Sequence, residues 1–274
     1  MYQTVGHSWM PKLAKAAGLP LIRRQLQGTP VATASLSYYE AIAGDETEDL
    51  VELLREVKCA YPDITAISVG AILSDFQRLR VENVCGRLGL VVLAPLWQLA
   101  QPLVLDLIER TQIDARLIKV ATLGLDDSHL GQSTTELRHH LRRIAAKFGV
   151  HEAGEGGEFE SFVFAAPGIL RRRLELTNPR VIRHAAEVWL LSGDLELGEE
   201  EHRPEQTVFD SVLDLSFYSE DFPRGSVTLY PTEKNIHPPL TISASLDSPV
   251  LDFHAVLSNP KISLYCQSDI LKIF

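Results

Sequence analysis

The strongest constraint on the fold is a change of hydrophobic period that recurs along residues 1–150. ITAISVGAI reads as a strand buried on both faces, rich in β-branched residues, and SDFQRLRVENVCGRLGL behind it reads as a helix. Ser74 and Gln77 have capping-box spacing, so that helix should begin at Ser74 or Asp75; Val81, Val84, Cys85 and Leu88 form its apolar stripe and Gly89 ends it. The alternation extends in both directions. HSWMPKLAKAAG predicts a short helix stopped by Gly18, LPLIRRQL a strand, and GDETEDLVELLREVKCAYP a helix with acids in its first turn. VVLA, PLVLDLIERT, ARLIKVATL and STTELRHHLRRIAAKFG continue as strand, helix, strand and helix. Such alternation predicts an α/β fold, a doubly wound and mostly parallel sheet with helices on both faces. In such sheets ligands bind beyond the carboxyl ends of the strands. After Pro167 the pattern turns to strands: ILRRRLELT, VIRHAAEVWLLSGDLEL, TVFDSVLDLSFYS, GSVTLY and PLTISASL. A boundary is expected near Asn178–Pro179, giving an α/β domain over 1–178 and a β-rich region over 179–274.

Charge and cysteine usage narrow the class. The net charge of −10 argues against direct nucleic-acid binding and against an anionic membrane surface. Eight acids against one arginine between Gly198 and Phe222 account for −7 of it, and that segment reads mainly as a solvated linker or strand face. No apolar run approaches the roughly 20 residues of a membrane span, and MYQTVGHSWMPK lacks the pattern of a signal peptide. Cys59, Cys85 and Cys266 are odd in number and widely spaced, which suggests neither a disulfide framework nor a zinc site and fits a reducing cytoplasm.

Two polar stretches stand out. GEGGEFES, Gly154 to Ser161, sets Glu155, Glu158 and Glu160 among three glycines directly before the apolar FVFAAP. Charge and glycine together describe a solvated loop; their position against the core makes a ligand site the alternative. The glycines would allow φ > 0, so that Glu155 and Glu158 face a cleft while Phe159 anchors inward. Three neighbouring carboxylates raise one another's pKa unless a cation joins them. In the helix from Ser74, Asp75, Gln77, Arg78, Arg80, Glu82, Asn83 and Arg87 crowd the first turns. Arg78 and Glu82 can pair on one face, while Arg80, Asn83 and Arg87 lie on another. A solvated face with routine ion pairs is one reading, and a cradle for an anion or carboxylate is the other. Both clusters are expected at one edge of the sheet. His7, His129 and Trp97 taken alone read as surface or packing residues, and no G-x-G-x-x-G, Walker A loop or H-E-x-x-H occurs.

Taken together, YQTVGH at 2–7, GDETEDL at 44–50, SVGAILSDFQRLRVENVCGRLGL at 68–90, LWQ at 96–98, IKVATLGLD at 118–126 and GVHEAGEGGEFESFV at 149–163 resemble the diphthine–ammonia ligase family of the ATP pyrophosphatase, or PP-loop, superfamily. The resemblance implies an enzyme that completes diphthamide on translation elongation factor 2. ATP with Mg2+ would adenylate the diphthine carboxylate, and ammonia, delivered as ammonium, would displace AMP. It implies Glu155, Glu158 and Asp75 as catalytic residues. Arg78, Arg80, Glu82, Asn83, Gln77, Trp97, Phe159, Glu160 and His7 are implied to bind substrate, the arginines through anionic groups. Trimethylammonium recognition would draw on carboxylates and on aromatics such as Phe159 or Trp97. No resident metal ligand set is implied.

The sequence departs from the family in one large respect. Family members open with a strand, a Ser-Gly-Gly-Lys-Asp-Ser phosphate loop and a helix, whereas this chain starts at Met1-Tyr2-Gln3, inside that pattern. The expectation is therefore weak ATP binding, since the backbone N–H groups that cradle phosphates are missing. The alternative function is a non-catalytic truncated homologue that keeps the substrate face. Residues 179–274 would be a connector to a Rid-type domain, as in fungal members, with the chain cut short at both ends. Phe76 and Phe159, where tyrosine is also common, and Ser161, in place of threonine, are mild departures.

Overall fold

The computed structural model describes residues 2, 4–31 and 35–200, with the backbone of two further strands at 226–229 and 240–243. They fall into two compact units, one built on Leu21–Gln98 and the two late strands, the other on Tyr2–Pro20 and residues 99–200.

In the first unit, α2 (Glu46–Ala60) is capped by Asp45, whose carboxylate accepts the Thr47 N–H at 2.9 Å. The run β1 (Ala66–Ser68), α3 (Asp75–Leu88), β2 (Val91–Leu93) is a βαβ unit with its strands parallel. The helix begins where the spacing predicts: Ser74 Oγ accepts the Gln77 N–H, and Gly89 closes the far end at φ 64°. Val81, Val84 and Cys85 bury against Leu50, Leu54 and Val57 of α2 and Ile67 and Val92 of the strands. The late strands β7 (Ser226–Leu229) and β8 (Leu240–Ser243), expected from GSVTLY and PLTISASL, extend this sheet in the order β1-β2-β7-β8, and β7 is antiparallel to β2. TVFDSVLDLSFYS lies outside the described residues. The strand expected over LPLIRRQL does not form. That segment has no regular secondary structure and leads to a site on α2, where Asp49 accepts the N–H groups of Gln27 and Gly28, each at 2.8 Å. A buried carboxylate takes the place of a strand partner.

The second unit holds α1 (Met10–Ala17), α4 (Gln101–Arg110), β3 (Asp114–Val120), α5 (Thr134–Phe148), β4 (Phe159–Ala165), β5 (Arg172–Ala185) and β6 (Val188–Glu200). Its sheet has the order β4-β3-β6-β5 and is antiparallel throughout. The fold is therefore mixed α/β, and the expected mostly parallel, doubly wound sheet is corrected: β1 and β2 are the only parallel strand pair among the described residues. The reason is the length of chain after α5. Residues 149–158 carry it back to the end of β3 from which it left, so Phe159 pairs with Val120 and β4 runs the other way. Leu105, Leu137, Leu141 and Ile144 of α4 and α5 pack on Leu117, Val120 and Phe159. Trp9, just before α1, meets Phe162 and Phe164 edge-on, at 5.3 and 6.2 Å between centroids.

The boundary expected near Asn178–Pro179 falls inside β5. Thr177 still pairs with Asp194 and Arg180 with Ser192, and the two residues between them form an irregularity with Asn178 at φ 51°. Proline lacks an N–H and is tolerated at such a point of an edge strand. The turn of the β5–β6 hairpin is instead Ala186–Glu187. No helix among the described residues is long and apolar enough to cross a membrane.

Candidate functional site

The acidic loop takes its shape from glycine and from His151. Gly154 (φ 77°) and Gly157 (φ 90°) adopt left-handed conformations, and a Cβ on Gly154 would lie 2.8 Å from the Phe159 ring. Two turns follow, from the Gly154 N–H to the His151 carbonyl and from the Gly157 N–H to the Gly154 carbonyl. Phe159 is buried in the core of the second unit, the inward anchor that the sequence suggests. Glu158 folds beneath the loop: its Oε1 accepts the His151 N–H at 2.7 Å, and a Cβ on Gly156 would meet that oxygen at 2.6 Å. Its Oε2 is buried without a hydrogen-bond partner among the described residues. The Glu155 side chain is 8% exposed, with Oε2 3.8 Å from His151 Nε2. Glu152 Oε2 lies 3.4 Å from Arg142 Nε of α5, and the Glu152 N–H donates to the Gln101 side chain at 2.9 Å, so the loop's start is fixed to α4 and α5.

The pairings of Val120 with Phe159 and with Trp189 place this loop at the carboxyl end of β3; the sheet is antiparallel, so the rule that puts ligands beyond the strand ends of parallel sheets does not apply to it. The 121–131 loop leaves from the same end. Within it, His129 Nδ1 accepts the Asp126 N–H and lies 2.9 Å from the Asp126 carboxylate, so His129 caps its own turn.

Glu160, expected as a substrate ligand, is committed to the chain itself. Oε1 meets Lys119 Nζ and the Thr4 hydroxyl, both at 2.6 Å, and Oε2 accepts the N–H groups of Thr4 and Val5 at 3.0 and 3.2 Å. By strand alternation Glu160, Phe162 and Phe164 share the face that receives the Thr4–Trp9 segment. His7 is exposed in the turn before α1.

The polar cluster on α3 belongs to the first unit. Arg78 donates to Asp75 at 2.9 Å and to Glu82 at 3.1 Å, and its guanidinium lies 4.9 Å from the centre of the Trp97 ring. Partial burial disfavours its charge, but the hydrogen bonds and charges of Asp75 and Glu82 outweigh that and push its pKa up. Two carboxylates on one guanidinium leave this face net negative, which suits a cation better than the anion expected there. Trp97 is 6% exposed and part of the core, and Gln77 is half-buried in the first turn.

On the opposite face, Arg80 is 1% exposed. It stacks 3.4 Å from the centre of the Phe76 ring and 5.1 Å from that of Tyr38, and donates to the carbonyls of Phe76, Ser35 and Leu36. Burial pushes its pKa down, and the charge of Asp45 offsets part of that. Asn83 donates to the Tyr39 carbonyl at 3.0 Å, and Arg87 forms two hydrogen bonds to Glu48, which also accepts the Tyr38 hydroxyl. Burial, with the Glu48 hydrogen bond second, pushes the Tyr38 phenol up to about 12. Arg80 and Asn83 thus hold the 35–40 loop, leaving Tyr39 85% exposed.

Sequence reasoning missed His151, Lys119 and Thr4. Lys119 had a signal, an ammonium in an otherwise apolar strand that calls for a carboxylate opposite; His151 had none beyond its place beside the glutamates. Among the described residues no group of three or more His, Cys, Asp or Glu side chains is arranged to hold a metal ion.

The family described as the diphthamide synthase C-terminal domain matches residues 100–193. Diphthine–ammonia ligases of Bos taurus and Homo sapiens are each 45% identical to the chain over 190 residues, which is 69% of this chain and 70% of the relative. That of Saccharomyces cerevisiae is 44% identical over 193 residues, 65% of this chain and 28% of its own length. The matched domain opens at residue 100, one residue after the second unit resumes at Leu99.

Proposed function

The chain belongs to the diphthine–ammonia ligase family, and on that premise we propose that it completes diphthamide on translation elongation factor 2. The substrates are the diphthine carboxylate, ammonium and ATP with its Mg2+. ATP activates the carboxylate as an acyl adenylate with release of pyrophosphate. Ammonia then attacks the acyl carbon, AMP leaves, and the amide remains.

The observation that carries this reading is the acidic loop. Glu158 presents a buried Oε2 without a hydrogen-bond partner among the described residues, on a carboxylate whose other oxygen is fixed by the backbone. Glu155 is held nearby in the same loop. A buried carboxylate oxygen left unpaired is costly, and a cation relieves it. Both ammonium and the trimethylammonium of diphthine are cations, and ammonium can in addition donate hydrogen bonds to Glu158. Glu158 and Glu155 would receive the ammonium and take up the proton it loses. On α3, Asp75 and Glu82 with Arg78 between them supply a second cation-favouring face, which suits trimethylammonium.

The test supplies the purified chain with diphthine-bearing elongation factor 2, Mg-ATP and 15N-ammonium, and follows the label by mass spectrometry. Label should enter the diphthine side chain with one AMP released per amide. Glu158→Gln should lose most of this activity while keeping the fold and any ATP binding. Absence of label with the parent chain would overturn the reading, and parental activity in Glu158→Gln would make the loop structural. Calorimetry with Mg-ATP separates a working ligase from a chain that only holds the diphthine-bearing partner.

A further inference from the structure

The geometry points to His151 as the positioning residue of the acidic loop, one that fixes both carboxylates and presents an Nε2 proton to Glu155. This deepens the proposed ligase function and rests on it for its catalytic consequence. His151 Nδ1 accepts the Ala153 N–H at 3.2 Å and faces the Glu155 N–H at 3.5 Å. A ring nitrogen that accepts a hydrogen bond carries no proton, and in a neutral imidazole the other nitrogen must then carry it. The backbone of the loop therefore selects the Nε2–H tautomer. That nitrogen is the one 3.8 Å from Glu155 Oε2, between side chains that are only 11% and 8% exposed. The separation exceeds a direct hydrogen bond, yet in so dry a place an N–H dipole beside a carboxylate is weakly screened. The main-chain N–H of the same residue donates to Glu158 Oε1 at 2.7 Å.

One residue thus serves two glutamates by two routes, Glu158 through its backbone and Glu155 through its ring. Because the imidazole is neutral, it orients Glu155 without cancelling its charge. The pair of carboxylates stays net negative, as capture of a cation requires. A lysine or arginine at this position would orient the same carboxylate but neutralise it.

Asparagine and glutamine divide the two ring functions. In His151→Asn the new amide oxygen can occupy the place of Nδ1 and accept the loop N–H groups, while the ring N–H that faces Glu155 is withdrawn. In ammonium-dependent amidation, His151→Asn should raise the KM for ammonium about tenfold, as Glu155 loses the dipole that orients it. Its kcat should stay within about twofold of the parent and its pyrophosphate release should be unchanged, because the loss is in ground-state binding. His151→Gln gives up the Nδ1 acceptor and should lower kcat as well. A parental KM for ammonium in His151→Asn would overturn the inference. A readout independent of activity is the long-range 1H–15N spectrum of the 15N-histidine-labelled chain, with the His151 signals assigned by their loss in His151→Asn. The Nε2–H tautomer should be seen at neutral pH. The Nδ1–H tautomer or an imidazolium would refute the inference whether or not the chain amidates diphthine, whereas failure of amidation with the expected tautomer would count against the functional reading alone.

Discussion

Glu160 offers the sharpest contrast between a substrate ligand and a structural clamp. Its carboxylate takes four hydrogen bonds, from Lys119, the Thr4 hydroxyl and the N–H groups of Thr4 and Val5. The Lys119 and Glu160 side chains are 18% and 15% exposed, so solvent screens the pair only in part. Removing one partner of a fully buried pair costs about 3–5 kcal/mol, and the residual exposure puts Glu160→Ala at the lower end, about 3 kcal/mol. Lys119→Met removes the charge together with its desolvation and should cost about 2 kcal/mol. In Glu160→Ala the lysine is stranded, and in the double variant it is not. The double variant should therefore fall short of the sum by about 1–2 kcal/mol. Urea unfolding followed by tryptophan fluorescence measures this cycle, since Trp9 lies just beyond the clamped segment and packs on Phe162 and Phe164. Stability within about 0.5 kcal/mol of the parent in Glu160→Ala, with no coupling, would refute the clamp. If amidation were lost in such a variant, Glu160 would be a ligand of the substrate after all.

Two further outcomes follow from geometry. Gly154→Ala forces a side chain onto φ 77° and drives its Cβ to 2.8 Å from Phe159, so it should destabilise by about 1–3 kcal/mol; a parental melting temperature would show that the loop has room to shift. Tyr38 should titrate late. Its folded pKa is raised to about 12, so the stability it contributes is complete below the phenol's ordinary value of about 10 and is lost as pH rises toward 12. Alkaline titration by phenolate absorbance should show one delayed tyrosine that is missing in Tyr38→Phe, and a uniform titration near the ordinary value would contradict the Glu48 contact.

What the sequence made legible was local. Ser74 and Gln77 marked the start of α3, and Val81, Val84 and Cys85 its buried stripe, because caps and helical period act over a few residues. The glycines at 154 and 157 announced left-handed turns, and Phe159 its anchor. Strand direction was not legible: the period of ARLIKVATL is the same whether β4 runs with β3 or against it. Asn178–Pro179, where the sequence suggests a boundary, lies at an irregularity within β5, because the strand pairing on either side outweighs a local preference. The real turn, Ala186–Glu187, carries no turn residue. The roles of Arg80 and Glu160 depended on partners far along the chain, Ser35 and Leu36 for one and Thr4 for the other. Periodicity could show that these groups are charged and near the core, and could not show what they meet.

The pairing of Val120 with Phe159 has a consequence for how the site comes into being. Residues 121–158 run from the end of β3 to the start of β4, touching β3 again where Ser133 bridges Arg116 and then passing through α5. Their neck is tied by the Ala121 N–H to the Glu158 carbonyl at 2.9 Å. Glu158 is thus a residue of the neck itself, and Glu155 stands three residues inside it. Until β3 and β4 zip together, the backbone that sets both carboxylates has no fixed course, and closing so long an excursion is a late and costly step for a chain. A partly folded chain, whether newly synthesised or opened by heat, therefore holds the acidic residues without their arrangement. Anything that binds the arranged loop draws the neck shut by mass action, so occupancy of the site and integrity of the second sheet rise and fall together.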